Sequence, residues 1–144
     1  MADTWVVVAD SSRARIFVQR GRALEEIADR VNPEGRLKAG DLDADRGGRS
    51  FDIAGEGRHA MEREHDAKRT KIIEFAKAIA DEVDAQRRRG DVDAVVLVAP
   101  PQFLGHLRDA LGEQTARIVR RTIDKNLVEQ DVERIAAEVT ALPD

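Results

Sequence analysis

Two nearby stretches of this chain hold residue types that could act on a ligand: Asp45-Arg46-Gly47-Gly48-Arg49-Ser50-Phe51 and Gly55-Glu56-Gly57-Arg58-His59. Adjacent glycines let backbone N–H groups come close to a phosphate or carbonyl oxygen, and flanking guanidiniums offer paired donors to an anion. Arg46, Gly47, Gly48, Arg49, Ser50, Arg58 and His59 are therefore the candidate RNA- or anion-binding residues. Lys68, Arg69, Lys71 and Lys77, farther along, could add phosphate contacts.

Other chemistries find less support. Gly55-Glu56-Gly57-Arg58-His59-Ala60 fits G-x-G-x-x-A, but that dinucleotide fingerprint needs a strand before it and a helix opening through it, and the sequence predicts neither. His59, His65 and His106 are the three histidines, and their spacing matches no metal-ligand pattern. The absence of cysteine excludes a thiolate nucleophile, a disulfide framework and cysteine-ligated zinc. Asp10 and Asp93 could hold magnesium for a two-metal nuclease. They are expected at opposite ends of neighbouring strands, where turn-forming and strand-starting roles account for them. No residue is assigned a catalytic or metal-ligating role, and no cofactor is expected.

The elements that must carry the Gly/Arg stretch can be read from periodicity. Trp5-Val6-Val7-Val8-Ala9 is short, β-branched and apolar throughout, the pattern of a central strand buried on both faces. Asp10-Ser11-Ser12 marks a turn, and Ala14, Ile16 and Val18 then alternate with Arg15, Phe17 and Gln19 as in a hairpin partner. A third, edge strand follows Gly21 over residues 24–31, protected by its acids.

Residues 32–64 hold six of the ten glycines and few large apolar residues, which predicts a long irregular loop. Residues 43–57 within it are expected to be protease-sensitive. Ile72, Phe75, Ala76, Ile79, Ala80 and Val83 recur at helical spacing, and that helix should end at Arg87-Arg88-Arg89-Gly90, with Gly90 in the left-handed cap. Val95-Val96-Leu97-Val98 predicts a fourth strand, stopped by Pro100-Pro101, and Pro101 opens a helix carrying Leu104, Leu107 and Leu111. A fifth strand is expected over residues 116–123. Asn126 and Glu129 resemble a capping box before a final helix with Val128, Val132, Ile135, Val139 and Leu142 on its stripe.

Three antiparallel strands followed by β-α units make the ribonuclease H-like arrangement, a mixed five-stranded α/β sheet. A chain of 144 residues is the size of one domain and can bury roughly 70% of its unfolded surface, so residues 1–144 are expected to form a single unit. The 28 acids and 24 bases leave a net charge of −4, which supplies no whole-protein field toward DNA or an anionic membrane. Any anion binding must come from a local patch. The amino terminus has no basic region, and its apolar run breaks at Asp10, so a cytoplasmic protein without a membrane partner is expected.

Several segments together resemble the bacterial "host attachment protein" family, proteins required for attachment to host cells that are relatives of archaeo-eukaryotic peptide-chain release factors. The resemblance runs through Trp5-Val6-Val7-Val8-Ala9-Asp10 with Arg13-Ala14-Arg15, Asn32-Pro33-Glu34-Gly35-Arg36-Leu37 and Asp45-Arg46-Gly47-Gly48-Arg49-Ser50-Phe51-Asp52. It continues through Arg58-His59-Ala60, Val98-Ala99-Pro100-Pro101-Gln102-Phe103-Leu104-Gly105 and Asp124-Lys125-Asn126-Leu127.

The resemblance implies the fold of the release-factor middle domain, which carries Gly-Gly-Gln on a long loop that enters the ribosome and promotes peptidyl-tRNA hydrolysis. Arg46-Gly47-Gly48-Arg49-Ser50 is similar to that loop, with Arg49 where the glutamine would stand. A guanidinium only donates and stays charged, whereas an amide also accepts. What is implied is a ribosome- or tRNA-associated factor for stalled or stressed translation, binding RNA without peptide release of the Gly-Gly-Gln kind. Two other readings stay open: a scaffold or homo-oligomer that affects attachment indirectly, and a metal-dependent nuclease or hydrolase on the same fold.

Overall fold

The computed structural model describes residues 2–36 and 55–141, with side chains in the second stretch from His59 onward. Strands β1 (Asp3–Ala9), β2 (Arg13–Arg20) and β3 (Ala23–Val31) form an antiparallel meander. Two parallel strands, β4 (Val92–Val98) and β5 (Val119–Ile123), extend it on the other side of β1. The order across the sheet is β3-β2-β1-β4-β5, the ribonuclease H-like order, with β1 in the middle. The helices are α1 (Gly55–Arg88), α2 (Pro101–Ala110), α3 (Glu113–Ala116) and α4 (Val132–Thr140), and a 3-10 turn spans Pro33–Gly35.

Because successive strand residues point to opposite faces, the unbroken apolar run in β1 supplies two cores. Trp5 and Val7 pack with Ile16, Val18, Val95 and Leu97 beneath Ile79 and Val83 of α1 and Leu107 of α2. Val6 and Val8 pack with Phe17, Val96, Val98 and Ile123 against Ile135 and Val139 of α4. Helix α1 ends as its sequence predicts. Gly90 has φ +82°, its N–H donates to the Arg87 carbonyl at 2.9 Å, and the Asp91 N–H donates to the Gln86 carbonyl at 3.1 Å. This pair of bonds is the Schellman closure that favours glycine.

Three expected boundaries move. The segment read as irregular from 32 to 64 is helical from Gly55 onward. Apolar periodicity reports burial rather than helicity, and Ala60, Met61, Glu62, Arg63 and Glu64 are good helix formers that extend α1 without a core to face. Of the stretch expected to be protease-sensitive, residues 43–54 lie outside the described residues and 55–57 are helical.

The fifth strand begins at Val119, not at residue 116. Residues 113–116 close a helical turn, with Ala116 N–H donating to the Gly112 carbonyl at 2.9 Å and Thr115 fully buried. The final helix begins at Val132, where the Asp131 carboxylate accepts from the Arg134 N–H at 2.9 Å. The proposed Asn126–Glu129 box does not form. The Arg15 guanidinium donates instead to the carbonyls of Val128 (2.9 Å) and Gln130 (2.7 Å), holding that segment in a non-helical path, while Glu129 pairs with Arg13 at 3.1 Å.

Candidate functional site

The Gly/Arg segment leaves the sheet through a clasp. At the end of β1 the Asp10 carboxylate accepts from the N–H groups of Ser12 and Arg13, each at 2.9 Å, so its expected turn-forming role holds. Ser11 Oγ donates to the Gly35 carbonyl at 2.8 Å, Asn32 Nδ2 donates to the Ser11 carbonyl at 3.0 Å, and the Asn32 N–H donates to the Ser12 carbonyl at 2.8 Å. Gly35 is buried in this contact. A Cβ there would run into the Ser11 carbonyl oxygen and lie 2.6 Å from Asn32 Nδ2.

Beside the clasp, Arg13 bridges Asp29 of β3 (2.8 Å) and Glu129 (3.1 Å). The hydrogen bond to Arg13 holds the Asp29 carboxyl below its ordinary range, and the same bond is the main reason the Arg13 guanidinium is held above its own. Ser11, Asn32 and Gly35 were not singled out by chemical type, since each reads as a turn former. Their Asx and X-Pro turn signals were visible, but the partnership between two turns far apart in sequence was not.

The segment returns through α1. A helix of 34 residues is about 51 Å long, roughly twice the 7-residue β1 or β4, so it must overrun the sheet. Burial shows which end overruns: nearly every residue from His59 to Lys71 is exposed, and full burial begins at Ala76. The amino-terminal part of α1 is therefore a projecting arm. Lys68 Nζ donates to the Arg36 carbonyl at 3.4 Å, joining the arm to the outgoing root of the segment.

Arg46, Gly47, Gly48, Arg49 and Ser50 lie outside the described residues. Arg58 and His59 fall in the first turns of α1, where His59 Nδ1 is 3.8 Å from Glu62. The four basic residues farther along do not share one face. At 3.6 residues per turn, Lys68 and Lys71 lie within about 60° of each other, whereas Lys77 is on roughly the opposite side from Lys68. Lys71 is 3.7 Å from Glu74 and Lys77 is 3.9 Å from Asp81, so these two cations have acidic neighbours.

The helix runs through the G-x-G-x-x-A stretch, one half of the dinucleotide context, but the described element before it is the 3-10 turn rather than a strand. Asp10 and Asp93 stand at opposite ends of the adjacent parallel strands β1 and β4, as expected. Among the described residues no group of three or more His, Asp or Glu side chains could hold a metal ion, and no helix is long and apolar enough to cross a membrane. The described geometry can thus present cations from an exposed helix, close to a segment whose outgoing root is rigidly held.

Comparison with solved structures shows the fold. The chain superposes on an archaeal translation termination factor, aRF1, with TM-score 0.51 and 12% identity, covering 95% of this chain and 37% of that one. A structure titled "Archaeal protein" gives TM-score 0.49 and 12% identity over 95% of this chain and 38% of that one. A PilM-PilN type IV pilus biogenesis complex gives TM-score 0.39 and 18% identity over 88% of this chain and 36% of that one. The chain therefore spans little more than a third of each of these neighbours. No curated protein matches it in sequence. Residues 5–139 match the family model described as "Protein required for attachment to host cells", and the chain belongs to that family.

Proposed function

We propose that this protein is a cytoplasmic, ribosome- or tRNA-associated factor of stalled or stressed translation, which binds RNA through its Gly/Arg segment and does not release peptide. The observation that carries this reading is the projecting arm of α1. It holds Arg58 and His59 beyond the packed sheet, a short stretch of sequence after Arg46-Gly47-Gly48-Arg49-Ser50, in a chain whose fold is similar to 37% of an archaeal translation termination factor. An exposed arm of mixed charge that brings Arg58 to its tip can enter an RNA-lined cleft that the sheet itself cannot reach. Arg49, in the position that resemblance gives to a glutamine, suits phosphate contact rather than orientation of a water molecule. The attachment phenotype in the family description would then follow indirectly, through the proteins whose synthesis depends on this factor.

The test is sedimentation with ribosomes and equilibrium binding to tRNA over a salt series. Replacing Arg46, Arg49 and Arg58 together by alanine should weaken binding and flatten the log–log salt slope by roughly 0.7–0.9 per lost phosphate contact. Equal binding by wild type and triple variant at low salt would sink the RNA reading. Efficient release of peptide by the wild-type protein would sink the claim that Arg49 disables it.

A further inference from the structure

A second cationic feature lies away from the arm, at the β5 edge of the sheet. Strand β5 has a neighbour on one side only, and its outer side borders a groove of about 290 Å³ between β5 and the end of α2. Leu111 and Val119 give it an apolar part, and Arg108, Arg120 and Thr122 give it donors. Among the described residues no acidic side chain lines it.

The arginines differ in what already occupies them. Arg121 is spent on structure, donating to the carbonyls of Val139 (3.0 Å) and Ala141 (2.9 Å) at the end of α4. Arg108 makes only a long contact to Thr122 Oγ1 at 3.5 Å, and among the described residues neither Arg108 nor Arg120 has a carboxylate partner. Elsewhere on the sheet, Arg13, Arg15 and Arg20 are each paired with acids. Two guanidiniums without a carboxylate partner among the described residues, one of them at the Thr122 hydroxyl, make a local anion site in a protein whose net charge is −4.

We propose that this groove binds a small phosphomonoester: the phosphate on Arg108, Arg120 and the Thr122 hydroxyl, the body of the ligand against Leu111 and Val119. The volume is at the lower limit of ordinary ligand sites, about 300 Å³, which suits a mononucleotide or a sugar phosphate rather than a larger cofactor. Guanidinium favours phosphate over a monocarboxylate because its paired N–H groups can engage two oxygens at once.

The test is calorimetric titration of the full-length chain with 5′-AMP, glucose 6-phosphate and inorganic phosphate, with amide chemical-shift mapping of the wild-type protein. Saturable one-to-one binding of at least one organic phosphate is expected, with shifts centred on residues 108–122; whether AMP or the sugar phosphate binds more tightly identifies the body. The double variant R108A/R120A, both side chains being exposed, should keep its melting temperature and lose at least about tenfold in affinity. The R46A/R49A/R58A protein should bind these ligands like wild type, so failure of the RNA reading and failure of this one are separable. Absence of saturable binding by both organic phosphates, whatever inorganic phosphate does, shifts centred on the arm, or unchanged affinity in the double variant would overturn the proposal.

Discussion

Arg15 is the side chain with the most consequences for the fold. It is nearly buried, pairs with Glu26 at 2.8 Å, lies 5.2 Å from the centre of the Phe17 ring, and donates to two carbonyls of the segment that precedes α4. Replacing it with alanine strands a buried carbonyl at Val128 and removes the tie between β2 and that segment. We expect Arg15→Ala to lower unfolding free energy by about 2–4 kcal/mol in urea titrations; a loss below about 0.5 kcal/mol would mean water replaces the guanidinium there. Arg13 and Asp29 make a pH-dependent tie of a different kind. Because Asp29 is depressed in the folded state, its contribution is present above the ordinary aspartate range, near 4, and is lost as pH falls through the lower folded value. Melting temperatures of wild type and Asp29→Asn should therefore differ at neutral pH and converge as pH falls below the ordinary aspartate range.

Among the elements, α1 has two halves under different physics. Its second half is fixed by burial: Ile79 is 1% exposed between the sheet and the solvent-facing side of the helix. Ile79→Asp would place an unpaired charge in that contact and cost several kcal/mol of a total stability of roughly 5–15. Largely insoluble protein is expected, and a soluble variant with an unchanged melting temperature would show that the helix face is wrongly assigned. The strands, the core stripe Ile72–Phe75–Ala76–Ile79–Ala80–Val83 and the Gly90 cap were legible in the sequence because burial writes apolar period into a chain. The first half of α1 was not legible, since an exposed helix carries no such period. The final helix is where its stripe predicts, but its start differs for a third reason: Asn126 and Glu129 have the right types for a capping box, whereas Arg15, more than a hundred residues earlier in the chain, engages the backbone carbonyls there and the helix begins at Val132. Of the candidate site, the basic residues on the arm were readable by type. The Ser11–Asn32–Gly35 clasp was not, because it is a meeting of two turns that only the sheet brings together.

At the scale of the whole molecule, the strand order separates what is central in space from what is adjacent in sequence. The register pairs Val7 with Leu97, so β1 and β4 meet across about ninety intervening residues, and the clasp, the Gly/Arg segment and α1 all lie inside that interval. Such a pairing must wait for a large chain closure, which makes its formation a slow step in folding. The closure entropy, however, grows only with the logarithm of the interval. Removing residues 37–54 and joining the ends with a short glycine linker should alter it by only about 0.2 kcal/mol, so the refolding rate in stopped-flow fluorescence of Trp5 should stay within about twofold of wild type. A tenfold change would mean that the segment takes part in the folding nucleus. The unchanged rate expected here has an evolutionary corollary: selection on foldability barely registers the length of the segment, so any constraint on that length comes from what the segment binds.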